Sequence, residues 1–234
     1  RQAFWLGVIP IVTALAMSQW LPESAAWASN RQSYKKDTSA LWDADNRPNL
    51  IMGMVIFGSV LIGLWGIFSW IPTWVQSLLP VGQNGQQERG ITMMLLGSGG
   101  IVGGIISGFL IKKLGVRKTL IVTFLGCASV SFVLFLTNRS FSPIVYAEMA
   151  VLSLFFGISQ GALSSYIPQL FPTVIRATAT GFCFNIGRFF TATSVFFVGA
   201  MVAFFGGLSN ALMTFSIAFL IALVGAYLSK ETQV

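Results

Sequence analysis

Between Met149 and Arg188 the chain carries one charge, Arg176, beside a Pro-Gln-Leu-Phe-Pro-Thr turn that joins two apolar runs. About 20 apolar residues, rising about 1.5 Å each as a helix, cross a hydrocarbon core of about 30 Å. Each of the two runs is long enough to do so. Arg188 sits about 11 residues past the turn, which places it roughly 17 Å deep, near mid-bilayer. An arginine there costs on the order of 3 kcal/mol by insertion scales, so it should face protein or water. The stretch predicts a polytopic membrane protein with a polar interior.

Composition agrees and removes alternatives. The 234 residues are 55% hydrophobic and 9% charged, with mean hydropathy +0.77. Soluble domains carry about 25% charged residues. The net charge of +7 sits in loops between apolar runs, so membrane topology explains it better than nucleic acid does. The chain has no histidine, which removes the usual general base and the commonest metal ligand. Cys127 and Cys183 fall inside apolar runs and read as small buried hydrophobes. No zinc spacing, phosphate-binding glycine loop or serine–base pair is present. We therefore expect no catalytic residues, no metal and no cofactor, and not an enzyme.

Seven apolar spans can be drawn: 3–21, 50–79, 90–111, 119–137, 143–170, 177–205 and 208–229. The mixed-charge segment 22–49 lacks an apolar period and reads as a linker, and 230–234 as a tail. Loops 22–49, 112–118 and 171–176, with the C-terminus, hold ten Lys and Arg; the opposite side holds Arg1, Arg89 and Arg139. That bias puts the linker and the C-terminus in the cytoplasm. The chain opens on Arg1-Gln2 without Met, so a piece of a longer chain is expected. The six spans after the linker divide three and three around the turn at 138–142, as inverted-repeat transporters are built.

Polar and small residues then mark the functional candidates. On the span 177–205, Gly181, Asn185, Arg188, Ala192, Val195 and Gly199 share one face. Asn185 and Arg188 are its donors, and paired N–H groups of Arg188 suit a carboxylate. A structural ion pair, or a bond to broken-helix carbonyls, is the alternative for Arg188. Ser153, Gly157, Gln160 and Ser164 form a matching stripe on 143–170. Glu148 is the one acid inside a drawn span and hence the proton-coupling candidate. It lies about 8 Å from the outer face and some 140° around the helix from that stripe. Trp65 lies deep enough to stack on a ligand, while Trp70 and Trp74 fit the interfacial aromatic belt. Gly100, Gly104 and Gly108, interleaved with Gly99, Gly103 and Ser107, make small-residue seams for helix packing or for sliding.

These motifs resemble the major facilitator superfamily, in its sugar-porter and metabolite–proton symporter branches, over nearly the whole chain. LPESAAW (Leu21 to Trp27) is similar to the run that closes the N-terminal half, and WGIFSWIPTW (Trp65 to Trp74) to the seventh helix. GFLIKKLGVRK (Gly108 to Lys118) occupies the place of the Gly-x-x-x-Asp-Arg-x-Gly-Arg loop. PQLFPTVIRATATGFCFNIGR (Pro168 to Arg188) is similar to the tenth-to-eleventh helix run of organic-acid symporters.

The resemblance implies an all-α fold: the sixth helix (1–21), the central cytoplasmic loop (22–49), a C-terminal six-helix half (50–229) and a cytoplasmic tail (230–234). It also implies alternating-access transport of a small organic acid or sugar-like metabolite with protons, in a plasma or inner membrane. The lipid bilayer and the N-terminal six-helix half would be its partners. Arg188, Asn185, Gln160 and Trp65 would bind substrate, and Lys112, Arg117, Gln169 and Arg176 would form the cytoplasmic gate. Lys112 and Gln169 stand where the family pattern has acids, which would leave Arg117 and Arg176 without those acidic partners and the gate weakened. A non-transporting sensor or scaffold of the same fold is the alternative.

Overall fold

The computed structural model describes residues 8–20 and 41–229. The chain divides into two units, Arg1–Asp37 and Thr38–Val234. In the first, α1 (Ile9–Trp20) is a 12-residue apolar helix. The LPESAAW motif, most of the linker and the tail lie outside the described residues.

The second unit is helical throughout its described regular structure. Its elements are α2 (Arg47–Phe68), α3 (Ile71–Leu78), α4 (Gln86–Leu114), α5 (Val116–Thr137), α6 (Ile144–Gln169), α7 (Arg176–Phe196), α8 (Val198–Phe205) and α9 (Leu208–Leu228). Five helices are long and apolar enough to cross a membrane, or six when α7 and α8 count as one bent span. The seventh expected span, 3–21, is seen only as α1.

Two expected spans are broken. The run 50–79 becomes α2 and α3 because Pro72 has no N–H to give and its ring clashes with the carbonyl four residues back. The chain therefore turns at Ser69 and Trp70, whose N–H groups bond Trp65 O and Ile67 O. The run 177–205 bends by 49° between α7 and α8, with no proline at the break. Just before it, Thr191, Thr193 and Ser194 return their hydroxyls to the carbonyls of Gly187, Phe189 and Phe190. Such back-bonding loosens and bends a helix.

Glycine is required at two turns. Gly115, at φ +83°, lets α4 stop and α5 begin within one residue, and Gly206 and Gly207, at φ +71° and +153°, turn the chain within two between α8 and α9.

The principal helix pairs are α4 on α6, α2 on α7, α9 on both α2 and α5, and α5 on α6. Exchanging α2 with α6, α4 with α7 and α5 with α9 leaves this set of neighbours unchanged. A three-plus-three repeat has that property.

Backbones approach closely where these helices cross. A Cβ on Gly63 or Gly66 would fall 2.9 and 2.3 Å from the rings of Phe219 and Phe215 on α9. Trp74, expected at the interface, is instead fully buried. Its indole N–H donates to Ser209 Oγ at 2.8 Å, and its ring meets Phe135 edge-on at 5.1 Å. A buried tryptophan needs a partner for that N–H, and the hydroxyl on α9 supplies it.

Candidate functional site

The site grows from the crossing of α2 and α7. Gly58 and Gly187 face one another there: a Cβ on Gly58 would lie 3.5 Å from Gly187 Cα. Phe57 stacks on Phe184 beside the crossing, with centroids 4.1 Å apart. Arg188 follows Gly187, so its side chain leaves the helix about 100° around from the contact, on the flank and not in the seam. A cavity of about 390 Å³ opens there, lined by Leu61, Trp65, Ser69, Arg188, Thr191, Ala192 and Val195.

Arg188 is exposed on this wall, and its Nη1 donates to Asn185 Oδ1 at 3.4 Å. That single long bond leaves most of the guanidinium fork available. Trp65 is 52% exposed and supplies the flat apolar side. The arrangement can hold a planar anion: charge and paired donors from Arg188, a ring face from Trp65.

The structure thus brings together Arg188, Asn185 and Trp65, along with Ala192 and Val195 of the predicted stripe. Ser69, Leu61 and Thr191 were not anticipated. Helical spacing could have found two of them, since Leu61 and Ser69 stand four residues to either side of Trp65.

Gln160 is placed elsewhere, half-buried on α6, with Nε2 meeting no acceptor among the described residues. Its companions Ser153 and Gly157 serve packing, whereas Ser164 is exposed and returns its hydroxyl to Gln160 O at 2.9 Å. Ser153 donates to Leu95 O on α4 at 3.2 Å, and a Cβ on Gly157 would fall 2.2 Å from Gly100 O. Across this contact the inserted series is Gly99, Gly103 and Ser107. A Cβ on Gly103 would meet Leu154 O at 2.3 Å, and one on Gly161 would meet Ser107 Oγ at 2.1 Å. Gly100, Gly104 and Gly108 present open space instead, although Gly100's backbone touches Gly157.

Glu148 does not meet Arg188. Its Oε2 accepts from Asn138 Nδ2 at 2.6 Å, tying the start of α6 to the end of α5. Among the described residues the two gate arginines bond backbone carbonyls, not carboxylates. Arg117 donates from Nε to Ala226 O at 3.2 Å and from Nη2 to Tyr227 O, and lies 5.9 Å over the Tyr227 ring. These carbonyls belong to the last turn of α9, where no further helix N–H is available to them. Arg176 donates to Phe171 O at 3.3 Å. Lys112 is exposed in the last turn of α4, where a cation complements the helix dipole. Gln169 donates to Ser165 Oγ at 3.3 Å, while its buried Oε1 has no donor among the described residues.

The sequence profile of the Major Facilitator Superfamily matches residues 1–192. The chain belongs to the major facilitator superfamily. It is 28% identical over 214 residues to the cis,cis-muconate transport protein of Acinetobacter baylyi, covering 87% of this chain and 50% of that one. It is 29% identical over 243 residues to a probable 4-methylmuconolactone transporter of Cupriavidus pinatubonensis, covering 100% and 54%. It is 29% identical over 197 residues to the sialic acid transporter NanX of Escherichia coli, covering 80% and 45%. The chain spans about half the length of these curated superfamily relatives.

Proposed function

We propose that this chain forms the C-terminal half of a carrier for a small organic anion, working by alternating access with an N-terminal six-helix half. The observation that carries the reading is Arg188. It is a cation deep in an apolar span, exposed on a 390 Å³ cavity beside Trp65, with one side-chain amide as its partner among the described residues. Muconate and sialic acid, for which two of the relatives are named, are carboxylates, the chemistry this wall would recognise. Uptake by the full-length protein with Arg188→Ala tests the assignment. The apparent affinity falls by about 100-fold, as expected when a charge-assisted pair is lost in a site of low dielectric. Transport at normal affinity rejects it.

Proton coupling falls to Glu148, with the linker and C-terminus on the cytoplasmic side. Protonation of Glu148 removes the charge that strengthens its bond from Asn138, and so loosens the α5–α6 junction. Glu148→Gln then abolishes substrate-driven proton flux while binding persists. Unchanged flux removes Glu148 from the role. A non-transporting scaffold is favoured by Lys112 and Gln169, which put no carboxylate where the family loop and helix have one. Absence of any substrate flux in the full-length protein would establish it.

A further inference from the structure

A second open face of α2 lies away from the Arg188 cavity. Two apolar hollows, of about 480 and 380 Å³, share Ile51, Val55 and Ile221 and so form one trough along α2 between α9 and α7. It runs from Pro48 to Ile62 on α2. Those 14 steps of helix rise span about 21 Å. One leaflet of hydrocarbon is about 15 Å deep, half of the bilayer core. The trough therefore runs past the depth of one leaflet, which leaves room for an extended acyl chain, and begins where α2 begins.

The groups at its mouth are polar and of both signs. Arg47 adjoins Pro48 and is exposed, and Asp43 and Asp45 are exposed on the turn just before it. That turn is folded back on the helix start, with Arg47 N–H bonded to Asp43 O at 2.9 Å. Trp42, 56% exposed, stands at the same level, where tryptophans mark the headgroup region. One guanidinium with two carboxylates within four residues of it does not suit a purely anionic headgroup. It suits a phosphate and a primary ammonium held side by side: the phosphate on the Arg47 fork, the ammonium on Asp43 and Asp45.

We propose that the trough holds one phospholipid with a zwitterionic, amine-bearing headgroup, its chain along Ile51, Val55 and Ile221 and its headgroup on Arg47, Asp43 and Asp45. Apolar contact with the trough offers little over contact with bulk lipid. Headgroup contacts therefore set the selectivity, and the shape of the trough sets occupancy.

The test is native mass spectrometry of the full-length protein extracted from bilayers of phosphatidylethanolamine mixed with phosphatidylcholine and phosphatidylglycerol. One phosphatidylethanolamine should stay bound, preferred by about tenfold over the other two. Arg47→Gln, and separately Asp43→Asn with Asp45→Asn, should erase the preference and leave some lipid bound. Val55→Trp, at a side chain already 41% exposed, should displace lipid of every headgroup without unfolding the protein. Equal retention of all three lipids overturns the proposal, as does retention of none. So does disulfide trapping of Val55→Cys by a cysteine placed in a transmembrane helix other than α7 and α9, whose side chains already wall the trough, because protein would then fill it.

Discussion

The pair α4–α6 and the pair α2–α7 occupy equivalent places under the three-plus-three exchange, and both cross through glycine. They are finished differently. On α4–α6 glycine meets backbone: Gly157 lies against Gly100 O and Gly103 against Leu154 O, and the Ser153 hydroxyl closes on Leu95 O. On α2–α7 the nearest obstacle to a Cβ at Gly187 is the Phe57 ring, at 2.9 Å, and one flank opens into the cavity that Arg188 lines. Lipid offers no hydrophobic reward for helix contact, so closeness of backbones is what holds such pairs. The difference teaches that one copy of the motif is sealed by backbone contact and the other gives up part of its seal for a polar site.

The sharpest way to break this comparison is Gly157→Ala. Its Cβ would land on a carbonyl that cannot move without parting the helices, so the cost belongs at the top of the usual overpacking range, about 3 kcal/mol. Thermal denaturation of the purified full-length protein reads it. A loss near zero would mean that α4 and α6 are not in backbone contact.

Gly187→Ala should cost less, about 1 kcal/mol, because the Phe57 ring can swing away while Gly58 Cα at 3.2 Å yields slightly. It should also shift Arg188 and weaken substrate affinity severalfold, and Gly157→Ala should not do so at matched folded fraction. If both variants changed affinity alike, the two pairs would not be separate devices. Ser153→Ala is smaller again, about 0.6 kcal/mol, the mean for a hydrogen bond between membrane helices.

Much of this was legible in the sequence. Long uncharged runs gave most of the helices to within a few residues, but the run 50–79 read as one span although Pro72 breaks it into α2 and α3. The face of Arg188 followed from helical spacing, which put it with Ala192 and Val195 on one cavity wall. What was hidden depended on partners far along the chain. Trp74 read as an interfacial residue because nothing nearby shows that Ser209, 135 positions away, will take its N–H. The bend at Phe197 has no proline; its cause is three hydroxyls that look like ordinary helix residues until their back-bonds are seen. Gln160 shared a face with Ser153 by periodicity, yet that face meets α4 and not the Arg188 cavity.

The choice between the two glycine series of α4 was also beyond the sequence, since adjacent positions lie only about 100° apart on a helix. That makes Gly104→Ala the most discriminating small effect. A Cβ there meets nothing within 4 Å, whereas one at Gly103 strikes Leu154 O. Alanine loses less conformational freedom than glycine on folding, so Gly104→Ala should stabilise by about 0.5–1 kcal/mol. Gly103→Ala, one residue away, should destabilise by at least as much. If Gly104→Ala is stabilising and transport is untouched, the open glycine face of α4 has no work in the cycle. If it is stabilising and uptake slows, the same face must close against another helix in a different conformation, and the small residues there serve movement. A destabilising Gly104→Ala would show that the open series is already packed, and the asymmetry between the two faces of α4 would fail.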